Sequence, residues 1–262
     1  MSKEIQLITL YCAVSHHYNS ALVIQAQRCS NNFCPKFTDE ECIATYIWGL
    51  HNQKYDVKAC YEFIKNYYGD WFPNLPSYQA YNNRICFLAD AFKAFANILL
   101  CGSGLDPEHN DYLYDSLPIV VAGPKRSGRA KTASEMCSKG YCASKDMWYY
   151  GVKLHTLPQS NHKSLPTPAL MMVSKASEHD LVVAKEMLKD VTNMTVFGDK
   201  AFIDFEWQTY MQDEHNVTIL TPIKQKKNEV LSAADKLFSS AVSSVKQAIE
   251  SLNNWIIVKT DI

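Results

Sequence analysis

The stretch Thr195-Val196-Phe197-Gly198-Asp199-Lys200-Ala201-Phe202 decides the fold. A short apolar run ends on a glycine and then a carboxylate, the pattern of a buried strand running out into a crevice where open sheets bind ligands. A helical pattern precedes it at 180–188. A second, at 205–213, follows and leads into another β-type run at 217–221. Further upstream lie three more β-type runs, at 112–121, 148–157 and 169–174. A closing amphipathic helix begins near Ser232 and reaches about Ile256, with Phe238, Val242, Val245, Ile249, Leu252 and Ile256 as its apolar seam. Three strands, a helix, a strand, a helix, a strand and a last helix predict an α/β fold with a mixed β-sheet and flanking helices.

The chain before this region has a different character. Thr38-Asp39-Glu40-Glu41 is a capping box, in which the Thr38 hydroxyl accepts a first-turn N–H while Glu41 reaches back. Cys42, Ile43, Tyr46, Ile47 and Leu50 follow at helical spacing. A second helix is expected over 57–68, stopping at Gly69 before Pro73 and Pro76. Ser77 caps a third, long one, in which Tyr81, Ile85, Leu88, Phe92 and Phe95 recur at three- and four-residue steps. Turn formers from Cys101 to Pro107 then mark a boundary. The expectation is a small all-helical N-terminal domain over 1–106 and a second domain over 107–262.

The 262 residues carry 26 Lys and Arg against 27 Asp and Glu, a formal charge of −1. That excludes a uniformly basic nucleic-acid binder but not a local basic patch. Between Pro124 and Lys153 stand Lys125, Arg126, Arg129, Lys131, Lys139, Lys145 and Lys153, with only Glu135 and Asp146 to offset them. The local excess of five charges reads either as a mobile, phosphate-neutralising loop or as a solvated lysine-rich one. A weaker cluster, Lys224, Lys226 and Lys227, follows the run at 217–221. Nine scattered cysteines do not make a disulfide framework and read mainly as buried reduced thiols. A zinc site from His16, His17, Cys29 and Cys34 is the less favoured alternative. Residues 5–14 resemble a short signal core, but Gln6 and Thr9 interrupt it and Glu4 cancels Lys3. No window matches a membrane span, so a cytoplasmic protein is expected.

Three carboxylates stand where chemistry would use them. Asp115 lies inside an otherwise apolar run, where a charge cannot stay buried alone. Asp199 follows a strand directly. Glu250 stands beside Ile249 at the edge of the last helix's seam, one turn after Lys246. Oxygen ligands converging from separate elements are what a pair of hard divalent cations needs. Acidic residues at strand ends are also commonplace, and position alone does not choose between these readings. His155 reads as a hydrogen-bonded structural histidine, and His179-Asp180 as helix-start chemistry.

The local sequences around these residues resemble insertion-sequence DDE transposases, whose catalytic core is RNase H-like, as in retroviral integrases. They are most similar to the bacterial group named after insertion sequence nine-eight-two. Tyr114-Asp115-Ser116-Leu117-Pro118 resembles the first-aspartate strand, and Tyr149-Tyr150-Gly151-Val152-Lys153-Leu154-His155 the second strand. Ala176-Ser177-Glu178-His179-Asp180 resembles the entry to the following helix, and Phe197-Gly198-Asp199-Lys200-Ala201-Phe202 the second-aspartate motif. Lys246-Gln247-Ala248-Ile249-Glu250-Ser251 falls where the family has its Arg-x-x-x-Glu helix. The likeness runs from about Asp111 to the C-terminus.

The resemblance implies that Asp115, Asp199 and Glu250 are catalytic and hold two Mg²⁺ or Mn²⁺ ions. It implies cleavage at element ends and strand transfer into target DNA, by a homodimer in the bacterial cytoplasm, associated with the nucleoid. With the basic excess, it makes Lys125, Arg126, Arg129, Lys131, Lys153, Lys200, Lys224 and Lys246 candidate DNA contacts. The helical N-terminal domain becomes a candidate for binding DNA ends. Lys246 departs from the family's arginine and cannot form the same bidentate fork. The chain ends at Ile262, where family members continue, which reads as a truncated copy. A non-catalytic DNA-binding remnant and a plain hydrolytic nuclease on the same fold stay open beside transposition.

Overall fold

A computed structural model describes residues 2–28, 31, 34–101, 105–143, 145–225 and 230–260. The chain divides into two compact units. One comprises the residues up to Cys101 with the last helix from Ile257, and the other the residues from there to Ile256.

The first unit is helical: α1 (Lys3–His17), a short π-turn (Tyr18–Leu22), α2 (Asp39–His51), α3 (Val57–Tyr67), α4 (Tyr78–Phe87) and α5 (Ala89–Cys101). The starts follow from capping chemistry. Thr38 and Glu41 close the capping box at α2, with Glu41 N–H donating to Thr38 Oγ1 at 3.2 Å and Thr38 N–H to Glu41 Oε2 at 2.7 Å. Asp56 caps α3 and Ser77 caps α4. The long third helix expected from Ser77 is two helices. At Leu88 the chain tightens into a turn, its N–H shared between the Arg84 and Ile85 carbonyls, while the Leu88 side chain is fully buried. Leu7 and Val14 of α1, inside the signal-like stretch, pack in this unit's core with Ile43, Trp48, Ile64, Tyr81 and Phe95. Beside that core, Asp39 accepts hydrogen bonds from Arg84, Arg28 and Tyr18.

The second unit holds one mixed sheet: β1 (Asp111–Leu113), β2 (Asp115–Ala122), β3 (Ser138–Cys142), β4 (Met147–Gln159), β5 (Thr167–Lys175), β6 (Met194–Phe197) and β7 (Val217–Leu220). Helices α6 (Asp180–Leu188), α7 (Phe205–His215) and α8 (Ala233–Thr260) flank it. The path runs β2-β4-β1-β6-β7, with β3 and β5 both on β4. β4 is the longest strand and largely buried, with β2 antiparallel on one side and β3 and β5 antiparallel on the other. β1 pairs parallel with β6, and β6 parallel with β7. Gly151 is needed where β4 is squeezed: a Cβ there would stand 2.0 Å from the Ile119 carbonyl oxygen.

Side-chain bonds fix the ends of these elements. Gln159 at the end of β4 accepts from the Asp106 N–H at 2.8 Å and donates to the Asp106 carbonyl at 2.7 Å, which anchors the approach to β1. Asp204 caps α7, and Asn216 ends it in the left-handed region at φ 54°. Ser232 and Asp235 bond reciprocally at the start of α8. Val242, Ile249, Leu252 and Ile256 are its buried apolar residues. β3 was not expected: it carries Lys139, Gly140 and an exposed Tyr141, and has no apolar alternation of its own.

No helix of the described residues is long and apolar enough to cross a membrane. Cys42, Cys60, Cys137 and Cys142 are buried and in no disulfide, but Cys12, Cys34 and Cys86 are exposed, contrary to the burial expected of them all. Cys29, Gly102 to Gly104, Lys226, Lys227 and Ile262 lie outside the described residues.

Candidate active site

β1 and β2 are nearly one strand that changes partner at Tyr114. Up to Leu113 it pairs with β6, and Tyr114 N–H donates to the Phe197 carbonyl at 2.9 Å. From Asp115, opposite Thr156, it pairs with β4. Leu113 lies opposite Phe197, so Asp115 and Asp199 each come two residues further along adjacent parallel strands. The register therefore places the two carboxylates side by side just past the end of the parallel β1–β6 pairing, where the strand turns to β4.

Asp199 is exposed and caps the short 3₁₀ turn Lys200–Phe202, its Oδ1 accepting the Lys200 N–H at 2.7 Å. Gly198 lets that turn close, because a Cβ would press on the Phe202 ring at 3.0 Å. Asp115 is partly buried, and α8 reaches it twice. Asn253 Nδ2 donates to Asp115 Oδ2 at 2.9 Å. The Lys246 ammonium stands 3.6 Å from Asp115 Oδ1. Burial raises the Asp115 carboxyl above its ordinary value. Lys246 and the Ser116 N–H oppose that rise, while repulsion from Asp199 adds to it.

Glu250 is exposed on α8, four residues after Lys246 and three before Asn253. It is therefore a helical neighbour of both residues that face Asp115. Its carboxylate is not gathered with the aspartates: among the described residues, no group of three or more His, Cys, Asp or Glu side chains could hold a metal ion. The donor set still suits a hard divalent cation. Asp115 and Asp199 offer carboxylate oxygens, and the buried Asn253 Oδ1 accepts no hydrogen bond among the described residues. An unpaired buried oxygen costs about 1–3 kcal/mol.

A second polar network lies beside Asp115. Ser116 Oγ donates to Asp180 Oδ2 at 3.0 Å, and Lys153 pairs with Asp180 Oδ1 at 2.7 Å while donating to the Glu178 carbonyl at 2.9 Å. His155 is fully buried between Tyr114 OH and Ser174 Oγ, both at 2.8 Å. Burial pushes its pKa down to about 4, so it is neutral and structural at pH 7. His179 caps α6, its Nδ1 accepting the Leu181 N–H at 3.2 Å.

The expected cationic residues fall into two sets. Lys125, Arg126 and Arg129 line an open groove of about 630 Å³ with Val121, Ala122 and Thr132. The segment is not a slack loop: Ser127 N–H and Arg126 N–H both donate to the Gly123 carbonyl, and buried Ser127 Oγ donates to the Pro124 carbonyl. Successive turns hold it and leave its charges outside. Lys131, Lys200 and Lys224 are exposed as well. Lys153 and Lys246, by contrast, are mostly buried and face carboxylates.

Sequence reasoning missed Asn253 and the links from Asp180 to Ser116 and Lys153. The signal for Asn253 was present, since it follows Ile249 by four residues and precedes Ile256 by three, a polar residue at a seam position.

Two aspartates just past the parallel β1–β6 pairing, with a basic groove in the same unit, suit a polyanionic ligand. The chain belongs to the family described as transposase DDE domain, whose profile matches residues 108–260. Its function class is therefore that of a transposase, with DNA as substrate. No curated protein and no solved structure matches the chain.

Proposed function

We propose that this protein is a metal-dependent DNA transposase that cuts phosphodiester bonds at insertion-element ends and joins the freed strand to target DNA. The observation that carries the reading is the placement of Asp115 and Asp199 at the ends of adjacent parallel strands. The sheet agrees with an RNase H-like core. With β1 and β2 taken as one strand, the order is β5, β4, β1/β2, β6, β7, antiparallel on the first side and parallel on the second.

In this reading Asp115, Asp199 and Glu250 hold Mg²⁺ or Mn²⁺, Glu250 by turning its exposed side chain inward. When bound, the ions would supply a lowered pKa for the attacking water and Lewis-acid stabilisation of charge on the phosphate oxygens. A water oxygen attacks phosphorus, the bond to the 3′-oxygen breaks, and that oxygen takes a proton. The resulting 3′-hydroxyl then attacks a target phosphate. Lys125, Arg126, Arg129, Lys131, Lys200 and Lys224 neutralise backbone phosphates. The helical domain at 1–106 binds element ends, the catalytic domain spans 107–262, and the active species is a homodimer at the nucleoid. The likeness of its motifs to the group named after insertion sequence nine-eight-two supports membership of that group.

The test is cleavage and joining of element-end DNA with Mg²⁺ or Mn²⁺. Loss of both in Asp115→Ala and Asp199→Ala is expected, and equal activity in wild type and Asp115→Ala would sink the assignment. Cutting without joining would mark a hydrolytic nuclease instead. A second reading, a chain that binds DNA without cutting it, is favoured by the Lys246 ammonium beside Asp115 and by Glu250 standing apart. It calls for salt-sensitive DNA binding with no metal-dependent cleavage.

A further inference from the structure

Asn253 sits where α8 should be apolar. It is 7% exposed, its flanks are buried Leu252 and Ile249, and its hydrogen bond reaches Asp115 across 138 positions of sequence. Half of its amide is spent on that one bond and the other half, Oδ1, is buried without a partner among the described residues. A leucine, branched at the same carbon but larger, would carry no unpaired oxygen into the seam and would take away the donor that Asp115 Oδ2 uses.

The two contacts of α8 to Asp115 also differ in kind. Lys246 is an ion pair at 3.6 Å, longer than a hydrogen bond, whereas Asn253 Nδ2 makes a true hydrogen bond at 2.9 Å. Oδ2 is therefore held, and Oδ1 only faces a charge that can move aside.

We infer that Asn253 is a positioning residue for Asp115, fixing the carboxylate through Oδ2 so that Oδ1 stays open to a divalent cation. The inference rests on the reading above that Asp115 is a metal ligand. Carboxylates that hold metals are themselves oriented by outer hydrogen-bond partners, and losing such a partner costs about 10–100-fold in metal affinity or activity. Lys246 supplies the positive charge that faces Oδ1, a place that a bound cation would have to take.

The test is Mn²⁺ titration of the full chain by calorimetry, with unfolding followed in parallel in urea. Asp115→Asn is expected to abolish binding. Asn253→Leu is expected to weaken it about 10–100-fold, more than any accompanying shift of its urea midpoint accounts for. Asn253→Ala serves the same comparison if the leucine does not fit. Wild-type affinity in the Asn253 variants, with binding lost in Asp115→Asn, overturns the inference and leaves the metal reading standing. Weakened binding that tracks a matching loss of folded protein overturns it too, in favour of a packing role. Unchanged binding in Asp115→Asn, or none in wild type, removes the metal reading and this inference with it.

Discussion

In the helical unit, Asp39 is a nearly buried carboxylate at the first turn of α2, and in the sheet unit Asp115 is a partly buried one at the start of β2. Burial works to raise both. At Asp39 it is outweighed by hydrogen bonds from Arg84 and Tyr18 and by the charges of Arg84 and Arg28, and the carboxyl is held below its ordinary value. At Asp115 a single lysine and one backbone N–H oppose burial, Asp199 adds repulsion, and the carboxyl ends up above its ordinary value. The two aspartates show how a scaffold differs from a site. A structural acid is supplied with the partners it needs, and on the proposed reading an acid left short of positive charge is kept for a cation.

The largest expected effect tests the site half of that contrast. Asp115→Asn and Asp199→Asn should each lower metal-dependent DNA cleavage by roughly three orders of magnitude or more, measured as initial nicking rates. Asp39→Asn should leave the cleavage chemistry itself intact in protein that remains folded.

Stability should reverse the ranking. Asp39→Ala strands two largely buried arginines and should destabilise the fold by about 3–5 kcal/mol in urea unfolding. Asp115→Asn removes a poorly compensated charge and should shift stability by no more than about 1 kcal/mol. Equal losses in the two variants would break the comparison.

Acid titration separates them by sign. A carboxyl depressed in the folded state contributes stability that is present above the unfolded value and lost as pH falls through the folded one. Asp39 should therefore make the protein acid-labile below the ordinary carboxylate range, and Asp39→Asn should flatten that loss. The raised Asp115 carboxyl acts oppositely: stability falls as pH climbs from the unfolded value through the folded one. Asp115→Asn should remove this second slope, read from urea midpoints across pH.

The smallest effect concerns the cations. Replacing Lys125, Arg126 and Arg129 by alanine should reduce the slope of log affinity for duplex DNA against log salt by about 0.9 for each phosphate no longer neutralised. Lys153→Ala should change that slope little, because Asp180 already neutralises its ammonium. A drop of a full unit in Lys153→Ala would return it to the DNA surface.

Much of the sheet unit was legible because short strands and amphipathic helices carry their periods in the chain. The strand that leads to Asp199, the helix at 180–188 and the buried Val242, Ile249, Leu252 and Ile256 of α8 follow from local pattern, whereas Phe238 and Val245, expected in that seam, are exposed. β3 was not legible, since its five residues become a strand only by pairing with β4. Leu88 belonged to an unbroken helical period, yet its burial and the shared bond of its N–H divide α4 from α5. Lys153 and Lys246 read as cations like the others, and only the fold puts Asp180 and Asp115 beside them.

By itself the sequence determined most of the element types, the carboxylate that follows the run at 195–198 and the surplus of charge between Pro124 and Lys153, because caps, hydrophobic period and net charge are local properties. Tertiary structure decided which charges meet. It gave Asp39 two arginines and a tyrosine, gave Asp115 a lysine and an asparagine, and did not gather Glu250 with both aspartates into one group. The physical reason is that a carboxylate's energy depends on its burial and on the charges and donors within a few ångströms. Those neighbours come from distant parts of the chain.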